Sequence, residues 1–273
     1  YKWGNAFWDG RYITFGDGYR YFYPFTSLDV VGHEIAHGIV EQNSDLWYWG
    51  QSGGMNEAFA DMTGEAAEYF LLGKNDWLVG AEIRKSKTAA LRYFKDPSRD
   101  GRSINHASKL LTCGNINVHY SSGVFNHVFY TLATKPGWDV RKAYDVMMLA
   151  NKLYWRPRSD FGEGACGAVS AAIDLGYDEQ DVREAFMNAG VAACQSDLLI
   201  HSGLEGNKNK PLTFSWQIPD TVEAFQVRTT QGRGNVDVYV KKGFKPTALS
   251  FNASSKNFGN EEIVVMKNLT GGI

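Results

Sequence analysis

Two histidines four residues apart constrain this chain more than any other feature of its sequence. His33 and His37 lie in the motif H-E-x-x-H, and on a helix such positions share one face. Both imidazoles then point at one place, with Glu34 beside them, and Glu57 follows one predicted helix later. Two imidazoles and one carboxylate form a Zn²⁺ site with a fourth position open to water, which Glu34 can deprotonate. The sequence therefore predicts a zinc hydrolase.

The residues around the motif predict two packed helices. If these helices pack, Glu57 faces the histidine pair, and small residues on the second helix permit a close approach. Ser27 or Asp29 could cap the first helix. The alternative is a chance motif on an ordinary amphipathic helix, which six histidines in 273 residues disfavour. The apolar stripes run through Leu28, Val30, Val31, Ile35, Ile39 and Val40 in the first helix, and through Ala58, Met62, Ala66 and Phe70 in the second, over Gly53 to Phe70.

Length and charge narrow the possible classes of protein. A chain of 273 residues suits one large domain, or a domain with a small appendage. A net charge of −2 gives no reason to expect nucleic acid or an anionic membrane as a partner. No apolar run approaches the roughly 18–20 residues that span a bilayer. No basic-apolar leader precedes Tyr1, so we expect a signal peptide to be absent or already removed.

The chain has three cysteines. A bridge between Cys166 and Cys194 is plausible in a secreted protein, and two free buried thiols are the alternative. Cys113 is either a free thiol or half of a pair whose partner lies outside this sequence.

The pattern along the chain predicts an α+β protein. Residues 1–25 combine strand and turn signals, and residues from Ser27 to about Ala193 are mainly helical. A polar stretch over 195–210 is typical of a linker. The remaining residues predict a small all-β module. Its strands are predicted at Thr213–Trp216, Phe225–Arg228, Val236–Val240 and Ile263–Val265, and further helices at Gly123–Ala133, Trp138–Ala150 and Glu179–Ala189.

The segment from about Asn5 to Cys194 resembles the thermolysin-like metallopeptidases, and most closely their pseudolysin and vibriolysin branch. The H-E-x-x-H motif and the block Gly54-Met55-Asn56-Glu57-Ala58-Phe59-Ala60-Asp61 carry this resemblance. It implies a catalytic domain over 1–194, mainly a helical zinc-binding lobe with a short N-terminal β segment. We expect that domain to lack the family's N-terminal β-rich lobe. The tail over 211–273 resembles a partial pre-peptidase C-terminal domain, sandwich-like, so that the chain is expected to be incomplete at both ends.

The resemblance also implies the roles of residues around the zinc. His33, His37 and Glu57 would be the ligands of one catalytic Zn²⁺, and Glu34 the base. Further residues match the family's supporting positions. They are Tyr48 and His119 as oxyanion donors, Asp61 as the carboxylate that fixes His33, Arg92 as a ligand of a substrate carbonyl, Asn5 and Ala6 as the edge that pairs with the substrate backbone, and Val30, Val79, Ile83 and Leu91 as an apolar pocket.

A structural calcium site is implied as well. Hard oxygen ligands on two helices and a loop suit Ca²⁺, although Glu65 and Glu68 taken alone read as solvated helix acids. The implied ligands are Asp29, Glu65, Glu68, Asp76 and the Leu78 carbonyl.

One residue departs from the family pattern. The family usually has an acid that orients and charges the histidine at position 119, and here that position is Asn117. An amide carbonyl can still accept a hydrogen bond, but it stabilises an imidazolium less than a carboxylate does.

These residues predict a secreted zinc endopeptidase that acts as a monomer on proteins or peptides and cleaves before hydrophobic residues. One alternative is a non-catalytic, zinc-stabilised fragment or binding module, which would not need Glu34. The other is a zinc exopeptidase, which would need a charged clamp that we do not find in the sequence.

Overall fold

The chain divides into two compact units, Tyr1–Asp197 and Leu198–Ile273. The computed structural model describes residues 2–110, 116–193, 204–208, 210–216, 224–229 and 233–267. Each unit is described by itself. Among the helices within these ranges, none has the length and apolarity needed to cross a membrane.

The first unit is mainly helical, with two short antiparallel strand pairs. Strand β1 pairs with β2 so that Ala6 lies opposite Phe15, and β3 pairs with β4 so that Leu78 lies opposite Tyr93. This secondary-structure content confirms the predicted mainly helical fold with a short N-terminal β segment. The elements are β1 (Ala6–Trp8), β2 (Ile13–Phe15), α1 (Leu28–Gln42), α2 (Gly50–Leu72), β3 (Leu78–Val79), β4 (Arg92–Tyr93), α3 (Val118–Ser121), α4 (Gly123–Ala133), α5 (Val140–Leu153), α6 (Phe161–Leu175) and α7 (Glu179–Asn188).

Glycines allow α1 and α2 to approach closely. A Cβ atom on Gly64 would lie 2.6 Å from the carbonyl oxygen of Asp29, and one on Gly32 would lie 3.1 Å from the Cα of Gly64. Side chains larger than hydrogen do not fit between the helices here. The close approach brings Glu57 of α2 to the face of α1 that carries His33.

An aromatic core holds the helices behind this pair. Phe125 packs against Phe186 and Phe161, with ring centroids 5.1 and 5.0 Å apart. Trp155 is 1% exposed and packs on Phe59 and Phe125. Each such buried side chain stabilises the fold by about 1.5–3 kcal/mol. These contacts of Phe59 and Phe125 therefore fix the positions of α2 and α4.

Three details of the predicted helices are wrong. Ile35 and Phe70 were expected on buried faces, but they are 48% and 88% exposed. Ser27 precedes α1, but its side chain makes no capping hydrogen bond. The buried face of α1 carries His33 and Glu34 as well as apolar residues. The apolar periodicity alone therefore predicts the wrong centre for this buried face.

In the second unit, every element that the structure describes is a strand. β5 (Ala224–Thr229) pairs with β8 (Glu262–Lys267), and β6 (Val238–Val240) with β7 (Ala253–Ser255), both antiparallel. The strand expected at Thr213–Trp216 is absent from this described stretch. The alternation of aromatic and polar residues in this stretch reflects ring packing, because the rings of Phe214 and Trp216 stack with centroids 5.7 Å apart. The sandwich-like arrangement and the linker over 195–210 stay predictions.

Candidate metal centre and active site

Three ligand atoms from α1 and α2 converge on one point. Nε2 of His33 lies 3.1 Å from Nε2 of His37, and each nitrogen lies 3.6 Å from an oxygen of Glu57. Glu57 is fully buried, and its Oε2 has no hydrogen-bond partner among the described residues. A buried carboxylate with an unpaired oxygen is costly unless a cation neutralises it. Two nitrogens and one oxygen are the donors that a catalytic Zn²⁺ takes, so these residues fit that ion.

The outer nitrogen of each histidine is held by an acceptor. His33 Nδ1 donates to Asp61 Oδ1 at 2.8 Å, and His37 Nδ1 donates to Asn56 Oδ1 at 2.8 Å. The amide of Asn56 cannot rotate freely, because its Nδ2 donates to the carbonyl of Leu46 at 3.0 Å. With Nδ1 protonated in both rings, the Nε2 lone pairs face Glu57, as metal binding requires.

Asn56 is a residue whose contribution the sequence analysis missed. The signal was available, because a metal-bound imidazole needs a partner for its second nitrogen. The predicted site contains such a partner for His33, namely Asp61, but none for His37.

Arg92 contacts Asp61 in a bidentate ion pair. Its Nε and Nη2 donate to the two carboxylate oxygens at 2.7 and 2.6 Å. Burial raises the pKa of Asp61, but the charge of Arg92 and the hydrogen bond from His33 outweigh burial and hold that pKa well below its usual range. Asp61 therefore stays ionised where it accepts the hydrogen bond from His33 Nδ1. The predicted contact of Arg92 with a substrate carbonyl stays a prediction.

Burial sets the protonation states of the central groups. It lowers the pKa of His37 to about 4, and the charge on His33 acts in the same direction. Burial also lowers the pKa of His33, but the hydrogen bond with Asp61 and the charge of Glu57 outweigh it, so the net shift is upward. Glu34 is buried on α1, and burial raises the pKa of its carboxyl group. A raised carboxyl pKa suits a general base that works near neutral pH.

The side chains of Tyr48 and His119 both lie close to the Glu57 carboxylate. Tyr48 Oη hydrogen-bonds to Glu57 Oε1 and lies 3.4 Å from His119 Nε2. His119 Nε2 is 3.5 Å from Glu57 Oε2. Burial raises the pKa of Tyr48, and the Glu57 charge adds to the effect, so the phenol remains a donor. Burial lowers the pKa of His119 more than the nearby Glu57 raises it.

Asn117 orients His119 through a single oxygen. Its Oδ1 accepts from the backbone N–H of His119 at 3.0 Å and from ring Nδ1 at 2.9 Å. The first contact caps α3, and the second fixes the ring. Because Nδ1 carries the donated proton, Nε2 can donate a hydrogen bond only when the imidazole is charged.

The four predicted pocket residues fall into two apolar clusters. Val30 and Ile83 pack with Ala6 and Phe25 in a small apolar cluster, and Leu91 packs against it. Val79 belongs to the main core, and its backbone carbonyl accepts from the Leu91 amide at 2.7 Å. Its assignment to the pocket stays a prediction. Val30 lies one helical turn before His33 and Glu34, which puts the small cluster on the same face of α1. Asn5 is exposed before β1, and its carbonyl accepts from Gly16 at 2.8 Å.

An acidic cluster lies at the far end of α2. Carboxylate oxygens of Glu65, Glu68 and Asp76 lie within 4.8 Å of one another. Burial, reinforced by the neighbouring acids, raises the pKa of Glu65 to about 9 and that of Glu68 to about 7. Glu65 Oε1 is buried without a hydrogen-bond partner in the described structure.

Asp29 is not among the carboxylates gathered within 4.8 Å, and its part in the predicted ligand set stays a prediction. Its carboxylate oxygens accept from the backbone amides of Val30 and Gly80, at 2.8 and 2.5 Å. The Leu78 amide donates to Asp76 Oδ1 at 2.8 Å.

Cys166 takes part in a disulfide. Cys113 and Cys194 lie outside the described residues. The pairing of Cys166 with Cys194 therefore stays a prediction.

Comparison with known proteins identifies the family. Residues 44–191 match the thermolysin metallopeptidase alpha-helical domain, and residues 1–41 match the thermolysin metallopeptidase catalytic domain. The chain therefore belongs to the thermolysin metallopeptidase family.

Individual relatives agree with this assignment. A neutral protease of Vibrio proteolyticus is 50% identical over 269 residues, which cover 94% of this chain and 44% of that protein. A zinc metalloprotease of Helicobacter pylori is 46% identical, over 81% of this chain and 88% of that protein. The solved precursor of protealysin from Serratia proteamaculans is 30% identical with a TM-score of 0.64, over 70% of this chain and 66% of that one. The chain thus spans less than half the length of the Vibrio protein that it matches.

Proposed function

We propose that this protein is a zinc endopeptidase that cleaves peptide bonds on the amino side of hydrophobic residues. The convergence of His33, His37 and Glu57, with Glu34 on the same helix, carries the proposal. When bound by these three residues, Zn²⁺ would polarise the scissile carbonyl and lower the pKa of a water molecule.

The protein's own groups then do the proton chemistry. Glu34 takes a proton from the attacking water and passes it to the leaving amine. Tyr48 Oη and, when protonated, His119 Nε2 donate hydrogen bonds to the developing oxyanion. Asp61 and Asn56 keep the two ligand imidazoles in the required tautomer and orientation.

The substrate preference rests on the small apolar cluster beside the site. Val30, Ile83 and Leu91 would meet the side chain that follows the cleaved bond. Relatives named neutral protease and zinc metalloproteinase support protein or peptide substrates. We further propose that the enzyme is secreted and monomeric, and that the second unit is a partial pre-peptidase domain.

The acidic cluster is proposed to bind one structural Ca²⁺. Three carboxylates are gathered at Glu65, Glu68 and Asp76, and within the described part of the chain no ion pair neutralises them. Oxygen donors at this spacing are what Ca²⁺ prefers. Asp29, whose charge adds to burial in raising the pKa of Glu65, and the Leu78 carbonyl would complete the ligand set.

Peptides blocked at both ends test the proposed activity. Incubation with the zinc-loaded protein, followed by mass spectrometry of the products, should reveal internal cleavage before Leu, Phe or Ile. A chelator should abolish the cleavage, and added Zn²⁺ should restore it. Cleavage of unblocked peptides alone would favour an exopeptidase. Zinc binding without any cleavage would favour the non-catalytic module.

A further inference from the structure

The carboxylate of Asp61 is saturated by protein hydrogen bonds. Its Oδ1 accepts from His33 Nδ1 at 2.8 Å and from Arg92 Nη2 at 2.6 Å. Its Oδ2 accepts from Arg92 Nε at 2.7 Å and from Asn126 Nδ2 at 2.8 Å. Two ionised oxygens offer about four acceptor sites, so all four are used. Asp61 is 1% exposed, which leaves little room for water to substitute for any donor.

Asn126 is the one amide donor in this set, and it comes from α4. Its side chain is fully buried. The orientation of its amide follows from chemistry, because a flipped amide would place Oδ1 against Oδ2 of Asp61, acceptor against acceptor. In the observed orientation Oδ1 has no partner among the described residues. An unpaired buried acceptor lowers stability, so packing alone does not account for an asparagine here.

We propose that Asn126 is a positioning residue for the metal centre. It fixes the plane of the Asp61 carboxylate, and Asp61 in turn fixes the ring of His33. Arg92 lies on β4 and donates to both carboxylate oxygens of Asp61. Asn126 lies on α4 and donates to Oδ2 of the same carboxylate. Thus one carboxylate links α1, α2, β4 and α4. The proposal rests on the proposed zinc-dependent function, because it assumes that His33 is a ligand.

A purely structural role makes a different prediction from a positioning role. If Asn126 only stabilised the fold, its removal would lower the melting temperature of the metal-free protein. If it positions His33, its removal also weakens zinc binding to the folded protein. The metal-free protein loses stability in either case, because Oδ2 of Asp61 then lacks a donor. Outer partners of metal-bound histidines typically change metal affinity by about 10–100-fold.

The test uses Asn126→Leu, which keeps the number and branching of the side-chain heavy atoms and removes both polar atoms. Asn151→Leu is the matched control, because Asn151 is also fully buried on a helix, accepts from Ser44, and has an unpaired Nδ2 in the described structure. Zinc affinity is measured by competition with a chromophoric chelator on the full chain, and unfolding of the metal-free protein by circular dichroism. We expect about a 10-fold loss of zinc affinity for Asn126→Leu and an unchanged affinity for Asn151→Leu, although both variants lose metal-free stability.

A second variant and a spectroscopic signal complete the design. Asn126→Ser is smaller and serves if the leucine variant does not fold. The visible spectrum of Co²⁺ in place of Zn²⁺ should change for the folded Asn126 variant and not for the control. A folded Asn126 variant that binds zinc within twofold of the unsubstituted chain would overturn the proposal. If the unsubstituted chain binds zinc but cleaves nothing, the proposed function fails and this affinity comparison still stands.

Discussion

The carbonyl oxygen of Asp29 lies 2.6 Å from the place where a Cβ atom on Gly64 would stand. This contact sets how closely α1 and α2 approach, and therefore where Glu57 meets the two histidines. We expect Gly64→Ala to lower the free energy of unfolding by about 1–3 kcal/mol, because the added carbon meets backbone that must move. Urea denaturation measures this change.

Gly38→Ala is the control for that substitution. It lies on α1, where an added Cβ would contact the Trp8 ring at an ordinary 3.5 Å. The higher helix propensity of alanine should leave stability equal or raise it by up to about 1 kcal/mol. Equal effects of the two substitutions would contradict the close-packing argument.

Glu34→Gln should remove peptidase activity and leave zinc bound. A general base contributes about 10²–10⁴-fold to rate, so kcat/KM should fall by at least about two orders of magnitude while zinc stoichiometry stays unchanged. Glu41→Gln on the same helix keeps an acceptor for Trp8 Nε1 and should have little effect. Activity retained in Glu34→Gln would assign the base to another group.

Asn117→Asp should extend activity to higher pH. A carboxylate in place of the amide raises the pKa of His119, so the ring stays charged, and able to donate from Nε2, at higher pH. A rise of about one pKa unit increases the charged fraction about tenfold well above the pKa. Aspartate also caps helices, so α3 should persist. Identical pH profiles of kcat/KM for both proteins would refute the idea.

Calcium should raise the melting temperature, and chelation with EGTA should lower it. Saturation at 100 times the dissociation constant contributes about 2.7 kcal/mol. Without calcium, the raised pKa of Glu65, about 9, means that the folded chain holds a proton that the unfolded chain loses. That contribution is complete below the ordinary carboxyl pKa of 4.5 and disappears as the pH rises through the folded-state pKa of about 9. The metal-free protein should therefore lose stability over this range, while its calcium affinity grows.

The double variant Glu65→Gln, Glu68→Gln tests the calcium proposal directly. It removes two of the three gathered carboxylates, so its melting temperature should no longer respond to calcium or EGTA. Glu82→Gln changes an acid outside the cluster and should keep the response. A calcium response that survives in the double variant would place the ion elsewhere.

The sequence predicted the centre of the site better than its surroundings, for a physical reason. His33 and His37 are related by helical geometry, which is local, so their common face follows from spacing alone. The need of His37 for a partner follows from metal chemistry. Which residue supplies it, and the contacts of Asn126, depend on which helices pack together, and no local pattern encodes that. Ile35 and Phe70 were misplaced for the same reason, because periodicity identifies a stripe but not what covers it.

The network around Asp61 has a consequence for how the centre loses and regains its metal. All four hydrogen bonds to this carboxylate come from protein groups, so none of them depends on the ion. His33 is held in its orientation before any metal arrives. We therefore expect removal of zinc to be reversible without refolding, so that chelation switches the site off and resupply of the ion restores it.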